Sequence, residues 1–224
     1  MRTLGAGIAA LLLAGFAVPP ERVSFPTQDG GVVYADLYGK GDRGVVLAHG
    51  GRFKKESWKE QALALAASGF RVVAIDFRGY GESRGPGASD PLGAPLHLDV
   101  LAAVRYMRQS GARTVAVVGG SMGGSAGADA MAEAPGEIDR LVLLGSGAGS
   151  QPGKLRGRKL FILSREDIGP GDKPRLPQIR AQYEITPQPK ELVILEGSAH
   201  AQFIFETEQG ERLLREILTF LSEP

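Results

Sequence analysis

Short, unbroken apolar runs recur along this chain and alternate with segments of helical periodicity. The six runs occupy residues 45–48, 72–75, 115–118, 141–144, 160–163 and 192–195. A strand that is apolar without interruption has both faces buried, which is typical of a parallel sheet covered by helices. Helical patterns follow at residues 56–68, 96–110 and 122–133, and a last apolar helical stripe spans residues 213–221. The sequence therefore predicts an α/β protein with a mostly parallel sheet and helices on both faces.

Two further runs precede these six and differ from them in composition. Residues 22–26 and 32–38 are rich in β-branched and aromatic side chains, and Thr-Gln-Asp-Gly-Gly joins them like a hairpin turn. We expect them to form an antiparallel edge of the sheet. The chain has 224 residues, 43% of them hydrophobic, and is long enough for one sizeable core. We assign residues 18–224 to a single domain.

One serine lies where such a sheet would turn directly from a strand into a helix. The pattern Gly-x-Ser-x-Gly occurs around Ser83, Ser121 and Ser125. Only Ser121 has a strand pattern before it and a helical pattern after it. Such a sharp turn exposes the hydroxyl, and Gly119 and Gly123 carry no side chains that would collide. Ser121 is therefore the candidate nucleophile, and the helix start offers free N–H groups to an anionic intermediate.

A serine nucleophile needs a base that takes its proton and a carboxylate that orients this base. In parallel sheets both come from loops at the carboxyl ends of strands. His200 follows the sixth apolar run, and Asp167 with its neighbour Glu166 follows the fifth. We assign His200 as the base. Both Asp167 and Glu166 could supply the acid, and we prefer Asp167 because its short side chain suits a group that holds the base in one orientation. His49 is interpreted as structural, and His97 as a solvent-exposed residue at a helix start.

The loop after the first apolar run reads His-Gly-Gly-Arg. A glycine at this place lets a backbone N–H approach the oxygen of a reacting carbonyl. We expect the N–H groups of Gly51 and Met122 to form an oxyanion hole. One such donor is worth ~2.7–4 kcal/mol of transition-state stabilisation.

Composition argues against several other classes of function. The chain has no cysteine and three dispersed histidines, so we expect neither a disulfide nor a metal site. Glycine fingerprints for dinucleotides or phosphates are missing, so no cofactor is expected. The net charge is +1, and the two small basic clusters, at residues 54–55 and 156–159, are interpreted as solvent-exposed surface. No nucleic-acid partner is expected.

The first eighteen residues differ from the rest of the chain. Arg2 is followed by an uncharged stretch to residue 18, with small side chains at Gly15 and Ala17. This pattern is typical of a secretory signal peptide, and its apolar run is shorter than the ~20 residues that span a bilayer. We expect residues 1–17 to be removed and the mature protein to be periplasmic or secreted, with no stable membrane span. An uncleaved membrane anchor and a cytoplasmic chain are the alternatives.

Beyond this leader, the chain resembles a small bacterial member of the α/β-hydrolase superfamily. Four elements carry the resemblance: the His-Gly-Gly turn at residues 49–51, the loop at residues 76–83, the turn at Ser121, and the ordered pair Asp167 and His200. The resemblance implies the eight-stranded α/β-hydrolase fold, a Ser-His-Asp triad and an acyl-enzyme mechanism without a cofactor. It also implies that the loop at residues 76–83 is structural.

One departure from the resemblance bears on the substrate. Members with a lid usually insert it after the sixth strand, but only fifteen residues separate Leu144 from Leu160. We therefore expect no lid domain and an open cleft without an enclosed pocket, bordered by the proline-rich stretch at residues 169–189.

The predicted function is that of a serine hydrolase acting on a small-molecule acyl ester or thioester, with short or exposed acyl groups preferred. The triad alone does not report the leaving group. A peptidase, another acyl-transfer enzyme and a C–C bond hydrolase therefore stay open as alternatives, as does a catalytically silent hydrolase-like binding module.

Overall fold

The computed structural model describes residues 19–90 and 93–223. The strands are β1 (Glu21–Pro26), β2 (Val32–Tyr38), β3 (Arg43–Ala48), β4 (Arg71–Ile75), β5 (Thr114–Gly120), β6 (Arg140–Leu144), β7 (Arg158–Ser164) and β8 (Lys190–Leu195). The α-helices are α1 (Lys59–Ala67), α2 (Leu96–Gln109), α3 (Met122–Glu133), α4 (Arg175–Ile185) and α5 (Gly210–Ser222). Short 3-10 helices lie at Lys55–Trp58, Pro152–Lys154, Pro170–Asp172 and Ala201–Glu206. Each strand and helix predicted from the sequence is present.

The eight strands form one sheet in the order β1-β2-β4-β3-β5-β6-β7-β8. β2 pairs antiparallel with both β1 and β4, whereas every pair from β4 across to β8 is parallel. The chain runs from β3 outward to β4 and then crosses to β5 on the other side of β3. The carboxyl ends of β3 and β5 therefore border the crevice in which open parallel sheets bind ligands.

Helices cover both faces of the sheet, as the unbroken apolar strands predict. α2, α3 and α4 pack on one face against alternate strand residues such as Val46 and Val117. α1 and α5 pack on the other face against Val45 and Leu47. All four of these side chains are fully buried, and each contributes about 1.5–3 kcal/mol through the hydrophobic effect. The predicted fold class is confirmed.

The connection between β6 and β7 contains only the 3-10 helix Pro152–Lys154. No lid domain lies there, as the short spacing predicts. Over the described ranges, no helix is long and apolar enough to cross a membrane. The expected signal peptide, residues 1–17, lies outside the described residues.

Solvent exposure was expected for both basic clusters, and this is wrong for one lysine in each. Lys55 is buried, and its Nζ lies 3.4 Å from Asp76 Oδ2. Lys159 has no exposed area, and its Nζ donates to the Gly157 carbonyl at 2.7 Å. Lys55 can be buried because its charge pairs with Asp76, a residue distant in sequence. Lys159 is buried because it lies within β7.

Candidate active site

Ser121 lies at the turn between β5 and α3, in a strained backbone conformation. Its φ of 49° and ψ of −111° lie outside the regions that side chains ordinarily allow. Such a conformation costs of order 1–3 kcal/mol and persists only when the surroundings hold it. The Ser121 N–H donates to the Leu144 carbonyl at 2.8 Å, and its carbonyl accepts from Gly124 and Ser125 at 3.0 and 3.1 Å. These bonds hold the residue at the carboxyl edge of the sheet.

The two glycines that flank this turn have no room for a side chain. A Cβ on Gly119 would lie 2.4 Å from the Gly123 carbonyl, and a Cβ on Gly123 would lie 2.2 Å from the Ala48 carbonyl oxygen. Backbone atoms line both positions, so no side-chain rotation could relieve the overlap. Glycine is therefore required at both residues, and it allows α3 to approach the end of β3.

His200 links Ser121 to Asp167. Its Nε2 lies 2.8 Å from Ser121 Oγ, and its Nδ1 lies 2.7 Å from Asp167 Oδ2. Asp167 follows β7 and is 1% exposed, while His200 follows β8 and is 26% exposed. A buried carboxylate that accepts from Nδ1 orients the ring and leaves Nε2 ready to accept a hydroxyl proton. The three residues selected from the sequence are thus in one hydrogen-bonded series.

Asp167 has a second charged neighbour that the sequence analysis missed. Its Oδ1 lies 3.3 Å from Nε of Arg175, the first residue of α4. The approach is too bent for a hydrogen bond, so neither of these two buried atoms has one. No motif marks Arg175, and its contact with Asp167 depends on how the proline-rich stretch folds back over the site.

Gly51, in the loop after β3, lies beside Met122 at the start of α3. A Cβ added to Gly51 would lie 3.7 Å from Met122 Sδ and 3.8 Å from the Tyr80 hydroxyl oxygen. Within the described part of the chain, no protein group accepts from the N–H of Gly51 or of Met122. Both donors are therefore free for a ligand. For Met122 the reason is its place at the start of α3, because the first N–H groups of a helix have no partner within it. Tyr80 donates to the Gly51 carbonyl at 2.9 Å and holds this peptide in place.

Gln202 ties the loop after β3 to the segment that carries His200. Its Oε1 accepts from the Gly50 N–H at 2.7 Å, and its Nε2 donates to Ser57 Oγ at 2.7 Å. The side chain is 4% exposed, so water competes poorly for these bonds. Because Gly50 is already engaged, Gly51 is the glycine of this pair whose N–H stays free. Only its position two residues after His200 could have singled out Gln202 in the sequence.

His49 is buried and structural, as expected. Its Nδ1–H donates to the Gly50 carbonyl at 2.8 Å, and its Nε2 accepts from the Phe77 N–H at 3.2 Å. Burial lowers the pKa of His49 because desolvation disfavours the imidazolium, and the neutral ring suits both bonds. Nearby, Asp76 accepts from the Lys55 N–H at 2.9 Å. This arrangement braces the loop after β3.

A cavity of about 510 Å³ opens beside Ser121, between α3 and α4. It is half open to solvent and not enclosed, so it is compatible with the open cleft that the sequence predicts. The proline-rich stretch contains the whole of α4 and builds a wall where a lid is absent. His97 also lines this cavity and is half-buried rather than exposed, with its Nε2 2.9 Å from Glu133 Oε2.

No group of three or more histidine or acidic side chains in residues 19–90 and 93–223 is arranged to hold a metal ion. A family model described as the alpha/beta hydrolase fold matches residues 44–191, well over half of the chain. The chain belongs to the α/β-hydrolase family. The matched range includes Ser121 and Asp167 and ends before His200.

Curated relatives of this α/β-hydrolase match over short segments. Epoxide hydrolase B of Mycobacterium tuberculosis is 59% identical over 39 residues, which are 17% of this chain and 11% of the relative. Bifunctional epoxide hydrolase 2 of Sus scrofa is 52% identical over 42 residues, which are 19% of this chain and 8% of the relative. These matches span about a tenth of the length of either relative.

Solved structures extend the likeness over the described chain. A Pyrococcus furiosus esterase matches with a TM-score of 0.74 and 18% identity, and the match covers 90% of both chains. At this identity the comparison shows a common fold. The α/β-hydrolase fold therefore holds for the chain from the β1–β2 edge to the last helix.

Proposed function

We propose that this α/β-hydrolase is a serine esterase or thioesterase that works through an acyl-enzyme intermediate. The observation that carries the proposal is the series of two hydrogen bonds, 2.8 and 2.7 Å long, that joins Ser121, His200 and Asp167. In that order His200 takes the proton of Ser121, and Asp167 stabilises the imidazolium that forms. The free N–H groups of Gly51 and Met122 bind the oxyanion.

The proposed reaction has two half-reactions. Ser121 Oγ attacks the carbonyl carbon while its proton passes to His200 Nε2, and the oxyanion accepts from Gly51 and Met122. The C–O or C–S bond then breaks, and His200 gives the proton to the leaving alcohol or thiol. Water attacks the acyl-Ser121 ester with His200 as the base, which releases the carboxylic acid and restores the serine hydroxyl. Protein groups and water account for every bond change.

A hydroxyl nucleophile favours acyl transfer over epoxide opening, the activity for which the two curated relatives are named. Attack of Ser121 on an epoxide carbon would leave an alkyl ether. Neither His200 nor oxyanion donors could help water to cleave that ether, because it has no carbonyl group. Attack on an acyl ester leaves a second ester, which the same groups can hydrolyse.

Other leaving groups use the same residues. Peptide bonds and some C–C bonds can be cleaved by a serine triad, but an amide nitrogen must be protonated before it leaves, which makes esters and thioesters the easier substrates. A silent binding module is disfavoured because nothing in binding alone requires the strained turn at Ser121. We further propose, from the composition of residues 1–17, that the protein acts outside the cytoplasm.

A fluorophosphonate probe, which labels an activated serine, tests the proposed function. Wild-type protein should be labelled and should hydrolyse 4-nitrophenyl acetate, whereas Ser121→Ala should lose labelling and roughly 10⁶ in kcat, with an unchanged circular dichroism spectrum. Ser83→Ala is the matched control, because Ser83 also lies in a Gly-x-Ser-x-Gly pattern. The folded Ser83→Ala protein should be labelled to the same extent as the folded wild type. An unlabelled wild type, or a labelled Ser121→Ala variant, would overturn the proposal.

A further inference from the structure

Polar side chains dominate the cavity beside Ser121. Ser121 lies just before α3, and Ser125 and Asp129 lie four residues apart on one face of that helix. All three side chains line the cavity. On the opposite wall, α4 contributes Arg175 and Gln182. Pockets that take hydrocarbon chains are lined mainly by apolar side chains. This cavity is therefore suited to a polar part of the substrate.

Arg175 brings a positive charge to the cavity wall. Its only ion pair among the described residues is the 3.3 Å contact with Asp167, which is too bent for a hydrogen bond. Asp167 is also shared with His200, at 2.7 Å. Within the described chain, no protein acceptor takes a hydrogen bond from the Arg175 guanidinium. A guanidinium has five N–H donors in a planar fork that fits a carboxylate, so several donors are available here.

The carboxylates at the cavity are engaged elsewhere. Asp129 Oδ1 accepts from both the N–H and the hydroxyl of Ser150, each at 2.7 Å. Asp129 also lies two helical turns from Ser121, about 12 Å along α3. Glu133 pairs with His97 at 2.9 Å. The wall at Arg175, next to the proposed triad, is thus the part of the cavity that favours an anion.

We propose that this cavity binds a carboxylate of the substrate and that Arg175 is its ligand. The inference rests on the proposed esterase function and names its substrate class: an ester or thioester with a carboxylate in either its acyl part or its alcohol part. Gln182 lies two helical turns further along α4 and adds a neutral donor to the same wall, because its Oε1 accepts from the Ala148 N–H and its amide nitrogen is left for a ligand. Arg175 is a specificity-determining residue in this scheme.

Three esters of one leaving group test the acyl side: 4-nitrophenyl hexanoate, the 4-nitrophenyl monoester of adipate and the neutral monoamide of that monoester. Wild-type kcat/KM should favour the adipate ester over both neutral esters by about 10- to 100-fold, the range of a charged hydrogen bond. Acetyl esters of 4-hydroxybenzoate and 4-hydroxybenzamide test the alcohol side in the same way. The arm that shows the preference identifies which part of the substrate enters the cavity.

Variants then assign the preference to one residue. Arg175→Gln should abolish the preference and Arg175→Lys should retain part of it, while both slow all esters to some degree because Arg175 contacts Asp167. The ratio of anionic to neutral kcat/KM is therefore the readout. Lys173→Gln removes an exposed cation two residues away that does not line the cavity, and it should keep the wild-type ratio.

Inhibition of the wild-type enzyme by free adipate is a second test of the carboxylate site, and it needs no variant. Adipate should inhibit hydrolysis of the neutral hexanoate ester competitively, and 1,6-hexanediol at equal concentration should not. Equal kcat/KM for charged and neutral esters in both arms, or a preference that survives Arg175→Gln, would overturn the carboxylate site while leaving the esterase proposal intact. A wild type that hydrolyses no ester and is not labelled by the fluorophosphonate would instead overturn the proposed function.

Discussion

Two carboxylates lie side by side after β7, and the backbone decides which of them reaches His200. The Glu166 N–H donates to the Gly197 carbonyl at 3.0 Å, and the Asp167 N–H donates to the Ser164 carbonyl at 3.3 Å. With these bonds in place, Asp167 is buried and Glu166 is exposed. The short Asp167 side chain has little freedom, which suits a group that must hold an imidazole in one orientation.

Substitution of these neighbours should separate their roles. Asp167→Asn should lose about 10⁴ in kcat, the size of the effect when the orienting acid of a serine protease is replaced and the histidine adopts the wrong tautomer. Glu166→Gln is the matched control and should change kcat less than threefold. Steady-state kinetics on 4-nitrophenyl acetate measures both. If Glu166→Gln is the damaging change, the acid is the other residue of the pair.

At the scale of elements, the 3-10 helix Ala201–Glu206 connects the loops that follow several strands of the sheet. This helix packs closely on the loop after β6, since a Cβ on Gly145 would lie 2.9 Å from the Ala201 nitrogen. Ala201 itself has a φ of 50°, an uncommon conformation for alanine that turns the chain directly after His200. Through Gln202 the same helix holds the loop after β3. One short element therefore positions both the proposed base and the proposed oxyanion loop.

Removal of this link should impair catalysis more than substrate binding. In Gln202→Ala the Gly50 N–H loses its acceptor, the loop relaxes, and the Gly51 N–H no longer points at a fixed place. We expect kcat to fall about 10- to 100-fold, because a small misplacement of the groups that contact the reacting atoms slows the chemical step. KM should change less than about threefold. Ser57→Ala removes the outer hydrogen bond of Gln202 and the bond from the Ser57 hydroxyl to the Lys54 carbonyl, but it leaves the bond between Gly50 and Gln202. This variant should therefore keep most of the activity. A Gln202→Ala variant with wild-type kcat would contradict the positioning role.

At the scale of the whole molecule, two fully buried cations among the described residues differ in their partners: Arg78 has acidic partners, and Lys159 has none. Arg78 is fully buried but donates to Asp99 at 2.9 and 2.6 Å, and it also pairs with Asp29. The hydrogen bond from Arg78 lowers the pKa of Asp29 to about 2. Lys159 is also fully buried, yet its Nζ has a backbone carbonyl as its acceptor. Burial lowers the pKa of Lys159 to about 8, and the nearby charges of Arg156 and Lys190 add to this effect.

Lys159 should therefore destabilise the protein at neutral pH. The unfolded chain, with a lysine pKa near 10.5, binds more protons than the folded protein between pH 8 and 10.5, so stability should rise with pH across that window. Lys159→Met should increase the free energy of unfolding by about 1–2 kcal/mol at pH 7 and by less at pH 10. Urea unfolding at both pH values measures this, with exposed Lys154→Met as the control. An equal gain at both pH values would contradict a charge effect.

The proposed export of the protein can also be tested. Expressed in a bacterium from Met1, the protein should be recovered outside the cytoplasm with a new amino terminus near Val18, because residues 3–18 carry no charge and Gly15 and Ala17 are small. Amino-terminal sequencing of the fractionated protein measures this. An intact Met1 or Arg2 in the cytosolic fraction would contradict the proposal.

Local patterns in the sequence were sufficient for the strands, the helices and the turn at Ser121. Apolar runs and helical periodicity are properties of neighbouring residues, and the steric need for Gly119 and Gly123 follows from the turn itself. The rule that sites lie at the carboxyl ends of parallel strands then selected His200 and the pair Glu166 and Asp167. The family resemblance and the short side chain favoured Asp167 within that pair. The structure joins Ser121, His200 and Asp167 by hydrogen bonds.

Contacts between segments distant in sequence were decided by the tertiary structure alone. The cavity exists because α4 lies opposite α3 at the carboxyl edge of the sheet, and the same placement brings Arg175 to Asp167. Gln202 reaches a loop 152 residues earlier in the chain. Burial of Lys55 and Lys159 depends on the sheet and its neighbours rather than on the local run of charge. The sequence by itself determined which groups could react, since that depends on residue type and local turns, whereas the surroundings of those groups depend on packing between elements.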